Sequence, residues 1–239
     1  DEWGVKVELF EDDSRPTTLK QRFRAEGKTL LRVSHLRQHD INRQIIRSFA
    51  AEVKAALSKS DLVIFADFNY GCLPQTLVNE VSEECRQKNI LMVADSQSSS
   101  QVGDVSRFKG MLLLTPTERE ARLAVRDFNS GLVVLAEKLR KKASAKNIIL
   151  TLGSEGLIAH AESTKSGAWH TDRLPALNSA PKDPSGAGDS LLACSSMAMA
   201  VGADIWESVY LGSIAAACQV GRVGNIPLSI DDITLELED

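Results

Sequence analysis

The residue types and spacing best suited to chemistry lie late in the chain, in Lys182-Asp183-Pro184-Ser185-Gly186-Ala187-Gly188-Asp189-Ser190, followed at once by Leu191-Leu192-Ala193-Cys194. Small residues crowd the start of a helical pattern. Gly and Ala let a ligand approach the backbone, and the first-turn N–H groups of a helix have no partner within it. With the helix dipole they form an anion site suited to phosphate oxygens. Asp189 would repel a phosphate, so it is out of place as an anion binder. It makes sense as a base that takes a proton from a hydroxyl attacking that phosphate. The structural alternative is that Asp189 only complements the helix N-terminus and the glycines allow close packing. A lone Gly-x-Gly-Asp would favour that alternative, being short and common. A second carboxylate six residues earlier, Asp183, and the small residues Ala193, Ala198 and Ala200 behind it favour chemistry.

The elements that must position this segment read as one α/β layer structure. The chain has 239 residues, 43% hydrophobic and 25% charged, so a sizeable core needs no staples. With 28 basic and 32 acidic side chains there is no basic field for nucleic acid or an anionic membrane. No apolar run approaches the ~18 residues of a membrane span. Cys72, Cys85, Cys194 and Cys218 lack paired spacing, which predicts reduced thiols and a cytoplasmic setting.

Alternation predicts a strand at Val5–Leu9 and a hairpin from Thr17 to Ala25 and Thr29 to Ser34, turning at Glu26-Gly27-Lys28. Helical period then follows Asp40, read as an N-cap, through Ile41, Ile45, Ile46, Phe49, Val53 and Leu57. Short apolar runs at 62–66, 90–94, 111–114 and 147–151 read as buried strands. Helices are expected at about 74–87 and 130–143, and one entered through a Thr115 cap and Pro116. This alternation is the signature of a parallel sheet covered on both faces. Two antiparallel edge strands between Gly156 and Arg173 and two final helices, 187–201 and 204–220, complete the pattern.

Asp183-Pro-Ser-Gly-Ala-Gly-Asp189 resembles the C-terminal signature of the ribokinase-like (PfkB) carbohydrate kinases, usually Asp-Thr-x-Gly-Ala-Gly-Asp. The resemblance implies Asp189 as catalytic base and Gly186, Ala187 and Gly188 as the anion hole, with Pro184 altering only the local turn. Leu114-Thr-Pro-Thr-Glu-Arg-Glu120 looks like the family's Thr-Pro-Asn-x-x-Glu segment, which implies magnesium and phosphate roles for Glu120 and for Thr117 in place of the Asn. Thr151-Leu-Gly153-Ser-Glu-Gly156 resembles the turn that lies against the nucleotide. Asp183 with the Gly221–Gly224 loop could frame a monovalent-cation (K+) site, and the face from Ser213 to Cys218, Ala217 included, would line the adenine pocket.

The likeness is nearest to the heptose 7-phosphate kinase half of the bifunctional ADP-heptose synthases. Pro16-Thr-Thr-Leu-Lys20-Gln-Arg22 and Leu30-Leu-Arg-Val33 look like two of its strands, which implies substrate contacts for Lys20 and Arg22. Ala66-Asp67-Phe-Asn-Tyr-Gly71 resembles its Ser-Asp-Tyr-x-Lys-Gly, implying a substrate contact for Asp67 but with Tyr70 in place of the Lys. Asp95-Ser-Gln97 resembles Asp-Pro-Lys and again lacks the Lys. Relatives carry about 90 to 100 further residues upstream with a sugar-binding segment, within ordinary domain size.

These readings together predict a ribokinase-like three-layer α/β/α fold with a mainly parallel sheet. Residues 1–36 would be a partial β lid and 37–239 the nucleotide-binding core. The expected function is ATP- and Mg2+-dependent phosphoryl transfer to a sugar or sugar phosphate. The competing reading is a nucleotide- or sugar-binding module without catalysis. Partners would be ATP, the sugar and a second copy through the lid, not nucleic acid or membrane. His35, His39, His160 and His170 read as surface or strand-end residues, and Trp169 and Trp206 as packing. A dinucleotide-binding dehydrogenase is disfavoured because no Gly-x-Gly-x-x-Gly follows the first strand.

Overall fold

A computed structural model describes residues 4–25, 28–98, 102–162, 170–224 and 226–238. Glu26 and Gly27 of the expected turn, and Trp169, lie outside the described residues.

Two sheets are present among the described residues. β1 (Leu19–Ala25) and β2 (Lys28–His35) form an antiparallel pair, with Arg22 opposite Arg32 and a register irregularity at Phe23/Arg24. The larger sheet runs in simple sequential order through β3 (Leu62–Asp67), β4 (Leu91–Ser96), β5 (Leu113–Leu114), β6 (Asn147–Thr151), β7 (Leu157–Ala161) and β8 (His170–Leu174). β3 to β6 are parallel, while β7 and β8 add antiparallel partners at the edge, as the sequence predicted. Helices α1 (Arg43–Ala56), α2 (Gln75–Gln87), α3 (Glu118–Val125), α4 (Leu132–Ala143), α5 (Ala187–Ala200), α6 (Ile205–Val220) and α7 (Ile230–Glu238) complete the chain.

Strand alternation creates the three layers. Met92, Ala94, Leu114, Ile148, Leu150 and Ile158 point into the core under α1 to α4. Their immediate neighbours Val93, Leu113, Ile149, Leu157 and Ala159 point the other way, against Leu191 and Leu192 of α5 and Ile205 and Val209 of α6. Each large apolar side chain buried this way contributes about 1.5–3 kcal/mol, so a one-residue slip would exchange the two faces at no gain while breaking the fit to the helices.

Several expected boundaries move, each for a capping reason. α1 is capped by Asn42, whose side chain accepts from the N–H groups of Gln44 and Ile45, rather than by Asp40. α3 begins two residues later than expected. Thr117, not Thr115, is its N-cap, and Glu120 reaches back to the Thr117 N–H to close a capping box. Val5–Leu9 forms no strand, because no described strand pairs with it; Val5, Val7 and Leu9 are exposed. α7 had no counterpart in the sequence reading. Trp206 lies at the exposed margin of α6 rather than in the core.

His160 is the clearest departure from a surface reading, since it is fully buried on β7. Its Nε2 meets Glu137 Oε2 at 2.9 Å and its Nδ1 meets Thr171 Oγ1 at 2.6 Å. Arg140 closes the group with a 2.7 Å bond to the same Glu137 oxygen. Strand periodicity turned His160 inward, where helix α4 and strand β8 supply polar partners. The Arg140 guanidinium, helped by His160 and Lys141, holds the Glu137 carboxyl at about 2 against the opposing effect of burial. Because this acid is depressed from its usual 4.5, its stabilisation is complete above that value and is lost as pH falls toward 2. Glu137→Gln should therefore cost about 1–3 kcal/mol at neutral pH and flatten the acid limb of the stability profile, as measured by urea unfolding between pH 2 and 7.

Candidate functional site

The carboxyl ends of parallel strands are where open α/β sheets hold ligands, and here three of the four, those of β3, β5 and β6, carry sequence-predicted residues. β3 ends at Asp67, β4 runs through Asp95 and Ser96, β5 leads into Thr115–Thr117, and β6 ends at Thr151. Thr117 and Thr151 are joined by a parallel bridge, with the Thr151 N–H on the Pro116 carbonyl at 2.9 Å. α5 packs on β3 and β4. The electrostatic influence of Asp189 on Asp95 shows that the amino end of α5 meets this edge.

The start of α5 has the geometry an anion site needs. Gly186 is the N-cap with φ +81°, a left-handed conformation that disfavours any side chain. The Ala187 N–H closes on Pro184 O at 3.4 Å and the Ser190 N–H on Gly186 O at 2.9 Å. Between them, the Gly188 and Asp189 N–H groups meet no acceptor among the described residues. A Cβ placed on Gly188 would meet nothing within 4 Å, and Asp189 is exposed. Open space therefore lies beside the segment.

Asp183 behaves differently. It is buried, with Oδ1 accepting from Ser185 N (3.1 Å) and Oγ (2.8 Å) and Oδ2 accepting from Gly224 N at 3.3 Å. Gln219 Nε2 donates to the Ser185 and Gly224 carbonyls at 3.3 and 3.1 Å. Asp183 and Gln219 thus tie the loop before α5 to the loop after α6. Sequence reasoning missed Gln219; its only signal was a polar residue on an apolar helix.

Glu120 is also buried and engaged. Oε1 accepts from Ser98 N at 2.7 Å, and Oε2 accepts from Thr117 N and Oγ1, both at 2.8 Å. Among the described residues no group of three His, Cys, Asp or Glu side chains could hold a metal ion. Both Glu120 oxygens already accept donors, so a magnesium ion carried on phosphate and water would be held through Glu120 only by way of such water.

Thr151, Gly153 and Gly156 lie on the turn between β6 and β7. Gly156 has φ +88°, and a Cβ there would lie 2.1 Å from Leu174 O, so the turn requires glycine. The Leu152 N–H bonds Gly156 O at 2.8 Å, leaving Gly153 exposed at the tip. Ala217 does not present an open face. It is buried, as are Ile214 and Ala215, its carbonyl accepts Asn178 Nδ2 at 3.0 Å, and α7 covers the neighbouring Cys218.

At the other end of the edge stand the expected substrate residues. Asp67 is buried and already paired, with Arg107 at 2.7 Å, Ser96 Oγ at 3.2 Å and Asn69 N at 2.8 Å. That engagement makes it an organiser of the loop after β3. Lys20 projects from β1 over Phe68 and Tyr70, with Nζ 4.6 and 5.1 Å from the ring centroids. Arg22, two residues along the same face, is exposed.

The family model for "pfkB family carbohydrate kinase" matches residues 1–232. The chain belongs to that family. The bifunctional protein HldE of Desulfatibacillum aliphaticivorans is 26% identical over 241 residues, which are 99% of this chain and 47% of that protein. HldE of Helicobacter hepaticus is 29% identical over 230 residues, 93% and 45% of the two chains. This PfkB chain thus spans about half the length of the curated relatives it matches. Among solved structures, ribokinase from Giardia lamblia aligns with a TM-score of 0.75 at 19% identity, over 98% of this chain and 76% of that one. Ribokinase from Arabidopsis thaliana, complexed with ribose and ATP, aligns at 0.69 and 15%, over 94% and 70%. The fold is ribokinase-like.

Asp95, named in the sequence only for the lysine missing beside it, proves electrostatically the most strained group of this PfkB edge. Burial, then the charges of Glu120 and Asp189, push its carboxyl up to about 7. A raised carboxylate is protonated in both states at acid pH at no cost; it opposes folding increasingly as pH rises from the usual 3.8 toward 7, and in full above that. Asp95→Asn should therefore raise stability at pH 8 and leave it unchanged near pH 3.5, as read by denaturant midpoints at the two pH values.

Proposed function

We propose that this PfkB chain is an ATP-dependent phosphotransferase that moves the γ-phosphate of ATP to a hydroxyl of a sugar or sugar phosphate of the heptose 7-phosphate kind. The observation that carries the reading is the open amino end of α5, where an exposed carboxylate stands beside two N–H groups that meet no acceptor among the described residues. A site built for binding alone gains nothing from a negative charge facing phosphate.

In this reading Asp189 accepts the proton of the acceptor hydroxyl as its oxygen bonds to the γ-phosphorus. The bond from that phosphorus to the bridging oxygen breaks, and ADP leaves with the electron pair. The Gly186–Gly188 backbone steadies the charge on the transferring group. Thr151, Gly153 and Gly156 shape the nucleotide turn, and Thr117 stands next to it across the Thr117–Thr151 bridge. Magnesium would neutralise phosphate charge, with Glu120 ordering its water. Asp183 would serve a potassium ion by fixing the two loops, since both its oxygens already accept donors. Lys20 and Arg22 would face the acceptor, with Asp67 shaping the loop beneath them. The bifunctional relatives make a sugar phosphate the acceptor to test first. Four free cysteines and the use of ATP suit the cytoplasm.

The test is ATP turnover by the full-length protein across hexose and heptose phosphates. Asp189→Asn should lower kcat by about 10²–10⁴-fold while leaving ATP affinity unchanged. ATP binding by both forms, with no turnover of any sugar, would replace the kinase by a binding module. The lid also presents Leu19, Phe23 and Leu31 to solvent, each about half exposed, on the face away from Lys20. A second copy is the proposed cover, so light scattering at micromolar concentration should report a dimer that Phe23→Lys converts to monomer.

A further inference from the structure

The two-stranded lid shares no ladder with the six-stranded sheet among the described residues. A lone hairpin is marginal in water, so side-chain contacts must set its pose over the core. We infer that Arg15 is the positioning residue that sets this pose, by pinning together the chain entering the lid, the chain leaving it and the aromatic loop on which Lys20 rests. This rests on the kinase reading only in its kinetic consequence.

Arg15 lies four residues before β1, and only 11% of its side chain is exposed. Its Nε bonds Asp12 Oδ2 at 2.8 Å, and its terminal nitrogens donate to the carbonyls of Tyr70 and His39, each at 2.5 Å. His39 lies four residues beyond β2, and Tyr70 lies in the loop after β3. One guanidinium therefore spans three segments that are far apart in sequence. A planar fork of five donors can do this, whereas an ammonium with three donors on one nitrogen cannot reach all three acceptors.

Two further observations point to the same junction. The Ile41 N–H bonds Gly71 O at 3.0 Å, and a Cβ on Gly71 would lie 2.2 Å from His39 O, so the lid's exit and the aromatic loop meet backbone to backbone. Ser14 Oγ meets His39 Nε2 at 2.8 Å, holding the entry strand to the exit. Directly above, the stacked rings of Phe68 and Tyr70, 6.2 Å apart, carry the Lys20 ammonium. Arg15 fixes the loop that carries the rings, and the rings seat Lys20 of the lid. Arg15 itself touches none of the reacting atoms.

The test compares wild type, Arg15→Lys, Phe68→Leu and the double variant in the full-length protein, by amide hydrogen exchange and by kinetics. Arg15→Lys should speed exchange in residues 19–25 and 30–35 by about tenfold or more, leaving the β4 to β6 amides unchanged. Phe68→Leu, which removes part of the seat without touching Arg15, should give the same signature. The double variant should exceed the larger single by less than the product of the two, because both act through one contact. The acceptor KM should rise about tenfold, with kcat and the ATP KM within twofold of wild type. Unchanged lid exchange would overturn the inference. So would faster exchange spread evenly over both sheets, multiplicative effects in the double variant, or acceptor and ATP KM values rising together. If the protein transfers no phosphate, the exchange data still decide the role of Arg15, and only the kinase reading falls.

Discussion

Negative charge gathered at one edge of a sheet must be matched by dipoles, and that constraint organises this molecule. Asp67 and Asp95 lie at the carboxyl ends of strands, Glu120 and Asp189 in the first turns of α3 and α5, and Asp183 in the loop before α5. Glu120 is matched by the N–H groups of Ser98 and Thr117. Asp183 is matched by Ser185 and Gly224, and Asp67 by Arg107 and Asn69. Asp95 has only the Ser96 backbone and a long 3.5 Å contact from Thr115, and its affinity for a proton rises accordingly. Asp189 faces open space beside N–H groups that meet no acceptor among the described residues. The edge is therefore settled everywhere except at the place where a phosphate and a hydroxyl would meet.

The rest of the fold supplies the rigidity that this arrangement needs. The parallel strands are apolar on both faces, so helices must cover both, and strand alternation divides the core between α1–α4 and α5–α6. α5 is held from behind by α6, and the loops at the near end of this pair are tied by Asp183 and Gln219. The amino end of α5 is thus fixed from three directions while its first turn stays open.

Much of this was legible in the residues. Apolar runs gave β3, β4 and β6 to within about one or two residues, and the glycines around Asp189 pointed to an open helix start. Less legible were the features decided by competition between near-equal local options. Asp40 and Asn42 are both good caps, as are Thr115 and Thr117. The structure chose the residue whose side chain could reach the N2 or N3 amide once Ile41 was buried and Pro116 was committed to Thr151. Val5–Leu9 alternates as a strand should, but alternation forms no strand without a partner. His160 looked like a strand-end histidine because its partner Glu137 lies on a helix 23 residues away in sequence.

The sequence by itself determined the layered α/β class, the open-helix motif at Asp183–Asp189 and the order of the elements, because these follow from local periodicity and from backbone freedom at Gly and Pro. Tertiary structure alone decided which carboxylates are paired and which stand open. It also decided that Asp67, Glu120 and Asp183 organise loops through their own hydrogen bonds, and that Arg15 gathers three distant segments under the lid. Pairing depends on distance and burial between residues far apart in the chain, and no local pattern encodes a distance.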